Sequence, residues 1–336
     1  QVPKAQKTGG WWLLMPVGAP KFKGVGACRR QAANRSAAAA LCMAASAIVT
    51  MHACAHSESR ALQPPLAGLG GPMIIAHRGG ALEAPENTLP AIRHGVASGA
   101  DWQEIDVTLT RDERVVVIHD ETLGRTTSGS GRVSQTSFAE LRRLDAGTPR
   151  WPAATREALT RAGVSPPEFG EQYSGTQVPT LAEALAVDGA QLMIELKAYA
   201  EPELLARKVV AQVRDVAAGH RVMLASFQPE VLWAVYNHDP ELALLGLAEQ
   251  MPQLDAMLRL PVAVVGVSKD IVPDALKRVP RGVAIWAWTA YGTEEAFQLM
   301  QQGVHGVITD APEAVVRAFR EPPDPVLEPS RTLSKP

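Results

Sequence analysis

The stretch Met73–Gly95, "MIIAHRGGALEAPENTLPAIRHG", contains the pattern of one strand followed by one helix. Its opening "MIIA" is short, apolar and followed by glycines, which is typical of a buried strand. Asn87 or Thr88 can cap the helix that follows. His77 and Arg78 therefore lie between a strand end and a helix start, which is where α/β folds place their chemistry.

Apolar runs continue to alternate with amphipathic stretches along most of the chain. Beyond the first, the candidate strands are 102–110, 115–119, 191–197, 222–227, 243–249, 262–268, 283–289 and 306–310. Such alternation predicts a parallel α/β sheet. About eight strand–helix units over roughly 250 residues favour a closed (β/α)8 TIM barrel over a doubly wound sheet. No G-x-G-x-x-G or Walker loop opens a helix, and the polar residues gather instead where strands end.

One interval, residues 121–178, interrupts this alternation. It is rich in Gly, Pro and Ser and contains "TTSGSGRV" and "GVSPPEFGEQYSGTQVP". A long excursion within a compact domain is usually functional or disordered. Because it lies between two strands that carry acidic residues, we expect a small functional inserted region over the barrel rim, after the third strand. The barrel domain is expected to span 73–320, followed by a Pro-rich disordered tail at 321–336.

The first 55 residues have the pattern of a targeting segment, although their first half fits no signal. They contain seven Lys/Arg and no Asp or Glu, and three arginines precede an apolar run at 37–50 and "ACA" at 53–55. This order is typical of a secretory signal, and about 14 apolar residues fall short of the ~20 that span a bilayer. We therefore predict a periplasmic or secreted protein with a linker at 56–72. There are two alternatives to a cleaved signal: a lipoprotein anchored at Cys54, and an Ala-rich helix of a cytosolic protein.

Charge and cysteine content exclude several function classes. Beyond the predicted leader the chain carries 26 Lys/Arg against 35 Asp/Glu, and an acidic body argues against a nucleic-acid binder. All three cysteines lie in the leader, so no disulfide, thiolate nucleophile or zinc–thiolate site is expected in the mature chain. The expected partner is a small molecule. No nucleic acid and no stable protein partner is implied, and a membrane only if Cys54 is lipidated.

Three acidic residues lie within apolar strands. Glu104 and Asp106 in "QEIDV" are two apart, so both carboxylates face one side of the strand. Glu195 in "MIELK" is a third, with Lys197 two positions along. Like charges inside a barrel are costly unless a positive charge lies between them, and Mg²⁺ and Ca²⁺ prefer carboxylate oxygens. We predict one divalent cation, Ca²⁺ or Mg²⁺, at these three residues; the alternative, a surface pair on an antiparallel edge, is disfavoured by the apolar flanks.

Two histidines, His77 and His119, end different predicted strands, and each is followed by a charged residue. Singly, each would more often be structural. Together they suit phosphodiester cleavage, since one imidazole can accept the nucleophile's proton while the other protonates the departing alkoxide. Arg78 can bind phosphate oxygens in bidentate fashion. Lys197 adds positive charge where negative charge develops.

The motifs H-R-G, P-E-N-T, E-x-D-V, H-D and R-T-T, together with "IELK", "WAWT" and "GVHGVITDAPE", resemble those of the glycerophosphodiester phosphodiesterase family over about residues 73–320. The resemblance implies a TIM-barrel hydrolase that splits glycerophosphodiesters into glycerol 3-phosphate and an alcohol. It implies a metal on the three carboxylates and acid/base roles for the two histidines. It also implies that Arg78 and Lys197 contact phosphate, that Glu86 orients site residues and that Trp288 lines the pocket.

Two positions depart from the usual family pattern. The tryptophan motif ends in Tyr291 where W-T-V-N is common, and Ala311 stands where a basic residue is frequent. The first departure leaves undetermined which residues contact the glycerol. Neither departure changes a predicted metal ligand or a predicted catalytic histidine.

Two rival functions remain. A phospholipase D-like enzyme acting on lysophospholipids or sphingolipids should carry an exposed apolar ramp around the insertion, for which the sequence offers only "EFGEQY". A catalytically inactive binding barrel is disfavoured because it has no physical need for three converging carboxylates.

Overall fold

The computed structural model describes residues 72–150, 153–199 and 201–320. All of these residues belong to one compact unit. The predicted leader with Cys54, the linker up to residue 71 and the predicted tail from residue 321 lie outside them. Among the helices of the described residues, none combines the length and the apolar character that a membrane crossing requires.

The described residues contain one sheet of nine strands, which closes on itself. The strands are β1 (Met73–Ala76), β2 (Trp102–Leu109), β3 (Val115–Val117), β4 (Leu192–Leu196), β5 (Val222–Ser226), β6 (Ala243–Ala248), β7 (Val264–Ser268), β8 (Ala284–Ala290) and β9 (Gly306–Thr309). All but β3 are parallel, and β1 pairs with both β2 and β9. The predicted (β/α)8 TIM barrel is confirmed, and each predicted strand overlaps an observed one.

The third strand departs from the expected parallel pairing. β3 runs antiparallel to β2, with Val117 opposite Val107, so it forms a hairpin and is not one of the eight barrel strands. The expectation that His119 ends a strand is also wrong, because β3 stops at Val117. The physical reason is length: only residues 110–114 connect the two strands, whereas a parallel crossover needs a dozen residues or more.

Helices surround the barrel and also occur in the inserted region. They are α1 (Leu89–Ala97), α2 (Phe138–Leu141), α3 (Ala153–Arg161), α4 (Leu181–Leu185), α5 (Pro202–Asp215), α6 (Pro229–His238), α7 (Met251–Met257), α8 (Val272–Arg278), α9 (Thr293–Gln302) and α10 (Pro312–Arg320). Of the two predicted caps of α1, Thr88 is the one used: its hydroxyl accepts a hydrogen bond from the Ala91 N–H at 3.3 Å. Asn87 is therefore free for another role.

Alternation along β2 separates two layers of the core. Ile105 and Val107 belong to the large cluster between strands and helices. Trp102 belongs to the cluster inside the barrel, where its ring lies 6.1 Å from that of Trp286. Residues two apart on a strand share a face, so the carboxylates of "QEIDV" point into the barrel above this aromatic floor.

The inserted region has a small core of its own. Its buried residues are Val116, Ile118, Leu123, Val133, Leu141, Ala146 and Val178. Ser137 caps the start of helix α2 and forms a reciprocal capping pair with Glu140. The Val117 N–H donates to the Pro179 carbonyl at 2.8 Å. The insertion is therefore a folded element attached to the barrel through β3.

Gly306 on β9 lies directly against the buried Trp286, and a Cβ there would be 2.7 Å from Trp286 Cδ1. We expect Gly306→Ala to lower the free energy of unfolding by about 1–3 kcal/mol, because the indole has no room to withdraw. Urea denaturation measures the change. Gly124→Ala is the control, since a Cβ at Gly124 would lie 3.7 Å from its nearest neighbour, the Gly129 carbonyl oxygen. Equal effects of the two substitutions would contradict the packing argument.

Candidate active site

The turn after β1 places Arg78 at the barrel mouth. Arg78, Gly79 and Gly80 all have positive φ, at 53°, 83° and 105°. Gly79 also has no room for a side chain, because a Cβ would lie 2.5 Å from the carbonyl carbon of Ala91. In this left-handed turn the Arg78 backbone N–H donates to Glu104 Oε2 at 2.8 Å. The two glycines after His-Arg thus allow the chain to turn back over the carboxylates.

The three predicted metal ligands converge. Glu104, Asp106 and Glu195 each offer an oxygen within 4.8 Å of the others, and Asp106 faces Glu195 across the β2–β4 pair. All three residues are buried.

The electrostatics of these carboxylates fit a cation. Burial raises the pKa of Glu104 well above its usual value, and the charges of Asp106 and Glu195 raise it further. Burial also raises the pKa of Glu195 to about 7, against the opposing charge of Lys197. Buried carboxylates that repel one another are stabilised by a hard divalent cation, which prefers oxygen ligands. The donor set therefore fits Mg²⁺ or Ca²⁺.

Lys197 and Asn87 fix the central carboxylate. Lys197 Nζ lies 2.6 Å from Glu195 Oε1 and 3.4 Å from Asp106 Oδ1. Asn87 Nδ2 donates to Asp106 Oδ2 at 2.8 Å, and Asn87 Oδ1 accepts from the Asp106 N–H at 3.0 Å. Burial alone would raise the pKa of Asp106, but the charges of His119, Lys197 and Arg78 hold it well below its usual value. Asp106 is therefore kept ionised.

Each predicted catalytic histidine lies against a carboxylate. His77 Nδ1 is 2.5 Å from Asp310 Oδ1, and His119 Nδ1 is 2.7 Å from Asp120 Oδ1. With Nδ1 engaged, Nε2 is the nitrogen that can exchange a proton with a bound molecule. Burial lowers the pKa of His119, and the charge of Asp106 opposes this effect.

Arg125, from the inserted region, links two parts of the site. Its Nε and Nη2 donate to Asp120 Oδ2 and Oδ1 at 2.7 and 2.8 Å. Its Nη1 and Nη2 also donate to Glu86, which accepts a further bond from Arg78 Nη1 at 2.7 Å. Burial would raise the pKa of Glu86, but Arg78 and Arg125 lower it to about 2. A continuous chain of ion pairs thus runs from His119 to Arg78.

Four contributors had no predicted role at the site: Asn87, Asp120, Arg125 and Asp310. All four lie in motifs that the sequence analysis quotes: H-D, R-T-T, P-E-N-T and "GVHGVITDAPE". A signal for them was therefore present, but Asn87 was interpreted as a helix cap. Asp310 follows β9 just as His77 follows β1, and this proximity exists only because β9 pairs with β1 when the barrel closes.

Two cavities meet among these residues. The inner cavity, of about 120 Å³, is lined by His77, Arg78, Glu104, His119, Met193, Glu195, Lys197, Phe227, Leu247, Trp288, Thr289 and Ile308. The outer cavity, of about 320 Å³, is lined by His77, Arg78, Ala81, Glu86, His119, Asp120, Arg125, Thr155, Thr289, Tyr291 and Asp310. Trp288 thus lines the inner cavity, where its ring packs edge-on against Phe227 at 5.5 Å. His77, Arg78, His119 and Thr289 line both cavities and mark their junction.

Comparison with known proteins identifies the family. The model of the glycerophosphoryl diester phosphodiesterase family matches residues 77–314. The chain belongs to this family. A glycerophosphodiester phosphodiesterase of Caldanaerobacter subterraneus subsp. tengcongensis is 31% identical over 261 residues, which are 74% of this chain and 98% of the relative. A glycerophosphodiester phosphodiesterase of Bacillus subtilis is 31% identical over 257 residues, 72% of this chain and 84% of the relative.

Solved structures agree with this membership of the glycerophosphoryl diester phosphodiesterase family. A phosphodiesterase of Oleispira antarctica, solved with the product sn-glycerol-3-phosphate, is 29% identical with a TM-score of 0.60, covering 74% of this chain and 96% of that one. A structure from Silicibacter pomeroyi DSS-3 has a TM-score of 0.64 at 24% identity, covers 75% of this chain and 94% of that one, and supports the fold alone. The predictions of the family and of an enzyme are confirmed.

Arg125→Met should lower turnover of a glycerophosphodiester by roughly 10- to 100-fold, the usual effect of losing a partner that orients site residues. Without the guanidinium, Asp120 and Glu86 lose a shared partner, so His119 and Arg78 are held less firmly. Steady-state kinetics measure the change, and Arg125→Lys should restore part of kcat because it retains the charge.

Arg132→Met is the matched control, since Arg132 pairs with Glu121 on the exposed face of the same inserted region. A wild-type kcat for Arg125→Met would show that this chain of ion pairs does not serve the reaction.

Proposed function

We propose that this protein hydrolyses glycerophosphodiesters to glycerol 3-phosphate and an alcohol, with a divalent cation, Ca²⁺ or Mg²⁺, held by Glu104, Asp106 and Glu195. The observation that carries the proposal is the junction of the two cavities. There, two histidines that lie against carboxylates and one half-buried guanidinium surround a space beside three converging carboxylates. These are the groups that a phosphodiester cleavage requires: proton donor, proton acceptor and positive charge.

The bound cation would supply Lewis-acid stabilisation of negative charge on the phosphate. Arg78 and Lys197 provide the chain's own positive charge: Arg78 Nε and Lys197 Nζ lie 3.5 and 3.4 Å from the two oxygens of Asp106. Burial would lower the pKa of each cation, but the neighbouring carboxylates hold both above their usual values. Both side chains therefore meet a phosphate in the charged form.

The two histidines transfer the protons. One removes a proton from the attacking oxygen, which belongs to water or to the neighbouring hydroxyl of the substrate, and the other protonates the departing alkoxide. Asp310 and Asp120 hold the rings through Nδ1, which fixes both orientation and tautomer. Trp288 and Phe227 supply the apolar wall against which the carbon face of a glycerol packs.

The lysophospholipid alternative has less support. An acyl chain on the glycerol would need far more space than the inner cavity's roughly 120 Å³. The exposed large apolar residues of the described chain are Tyr199, Val216, Trp233, Phe297 and Phe319, and none belongs to the inserted region. There, Phe169 and Tyr173 pack edge-on against each other at 5.7 Å. The apolar ramp that this alternative calls for is not formed by the described part of the insertion.

The proposal is tested by hydrolysis of glycerophosphocholine, followed as released glycerol 3-phosphate. We expect release by the purified protein to stop with chelator and to return when Ca²⁺ or Mg²⁺ is restored, because three carboxylates lose their counter-charge. Release that persists in excess chelator would refute the metal site but keep the reaction. No release with either cation from folded protein would refute the reaction, and release from lysophosphatidylcholine instead would establish the lipid alternative.

His77→Ala and His119→Ala should each lower kcat by roughly 10²- to 10⁴-fold, because each removes one partner in proton transfer. Circular dichroism should show an intact barrel in both variants. His238→Ala is the control, since His238 pairs with the exposed Glu203 on the outside of the barrel. A fully active His119→Ala enzyme would refute the two-histidine scheme.

A further inference from the structure

A second group of metal-binding side chains lies outside the two cavities at the barrel mouth. It consists of Glu83, in the segment between β1 and α1, His94 on α1 and Glu313 on α10. Each offers one donor atom, and the three atoms lie within 4.8 Å of one another. His94 Nε2 is 2.8 Å from Glu83 Oε2 and 3.8 Å from Glu313 Oε2. None of the three residues lines either cavity at the barrel mouth, so the proposed reaction leaves this group without a role.

The carboxylate of Glu83 is held in place by backbone groups. Its Oε2 accepts a hydrogen bond from the Glu313 N–H at 3.0 Å, and its Oε1 accepts one from the Ala314 N–H at 3.2 Å. The neighbouring Leu82 N–H donates to the Asp310 carbonyl at 2.9 Å. Carboxylates that bind metals are commonly oriented by such outer-shell hydrogen bonds. Glu83 is therefore fixed relative to α10 before any metal binds.

His94 and Glu313 are accessible from solvent on one side. The side chain of Glu313 is 55% exposed, and that of His94 is 23% exposed. Both line a cavity of about 450 Å³, whose other walls are Ala97, Ser98, Val316 and Arg317. A cation can therefore reach the three donor atoms, and water in this cavity can complete its coordination.

The imidazole distinguishes this group from a cluster of acidic residues and from the all-oxygen site at the barrel mouth. Ca²⁺ and Mg²⁺ prefer oxygen ligands alone, whereas an imidazole nitrogen suits Zn²⁺ and the neighbouring transition metals. Histidine and carboxylate ligands completed by a water molecule form a known zinc arrangement. A divalent cation would also neutralise both carboxylates, which a protonated imidazole can do only in part.

We propose that Glu83, His94 and Glu313 form a second metal site, which takes Zn²⁺ or a similar transition metal and joins the segment after β1 to α10. The inference stands apart from the proposed function, because it concerns a different metal and different residues. The joined segments follow His77 and Asp310, which pair at the barrel mouth. The bound metal would therefore stabilise the part of the fold that holds this pair, while taking no part in bond cleavage.

Zinc binding to the full chain tests the proposal, measured as Zn²⁺ retained per chain after equilibrium dialysis in excess Ca²⁺. Wild-type protein should retain one Zn²⁺ more than His94→Gln or Glu313→Gln. The affinity for that ion should fall at least about 100-fold, because loss of an outer-shell partner alone costs roughly 10- to 100-fold. The amide that replaces the imidazole can still donate to Glu83, so the contact is kept while the metal ligand is lost. Glu313 is exposed, so its substitution should leave the fold intact.

Zn²⁺ should also raise the Tm of the wild-type protein more than that of either variant, since a ligand of the folded state stabilises it. His238→Gln is the control and should keep wild-type binding, because His238 pairs with one exposed carboxylate, Glu203. Zn²⁺ held by the cysteines of the predicted leader or by the barrel carboxylates is the same in all variants and cancels. Wild-type zinc content and Tm shift in either His94→Gln or Glu313→Gln would overturn the site and leave His94 as an ion-pair partner of the two glutamates.

Discussion

The mutual repulsion of three buried carboxylates is the constraint on which the site depends. Glu104, Asp106 and Glu195 face one another inside the barrel because residues two apart on β2, and one residue in register on β4, point the same way. Such an arrangement is unstable without positive charge. Arg78 and Lys197 supply part of that charge, and the raised pKa of Glu104 shows that they leave it incompletely balanced. A site that fits a cation follows from this deficit.

The need for balanced charge also explains why the insertion belongs to the site. Arg78 takes its position between the central carboxylates and Glu86, and Glu86 in turn requires a second cation, which is Arg125. Arg125 lies in the insertion, whose own apolar core keeps it folded against β3. The same guanidinium holds Asp120 and through it His119. Removing the insertion would therefore leave Glu86 with Arg78 as its one remaining cation partner and Asp120 with His119, as well as uncovering the site.

The sequence predicted the parts of the structure that depend on local pattern. Period-two alternation on β2 and β4 was sufficient to place three carboxylates on one face, and strand–helix alternation was sufficient for the barrel. It could not predict what depends on closure: Asp310 meets His77 only because β9 returns to β1. It also misjudged β3, since an apolar β-branched run has the same pattern in a hairpin as in a barrel strand. Asn87 shows a third limit, because the same residue type suits a helix cap and a hydrogen bond to Asp106.

The contrast between the two cavities follows from the same geometry. Met193, Leu247 and Trp288 lie on inward-facing strand positions directly above the barrel's apolar floor, so a polar residue there would be buried without partners. The outer walls come largely from turns, strand ends and the insertion, where side chains can be polar and can change without disturbing the core. Strands therefore hold the three carboxylates and most of the apolar wall of the inner cavity, while the turns after the strands hold the two histidines and Arg78. In this fold, strand register alone fixes the carboxylates, whereas the groups in the turns are held by hydrogen bonds from outside their own strand: His77 by Asp310, and Arg78 by Glu86.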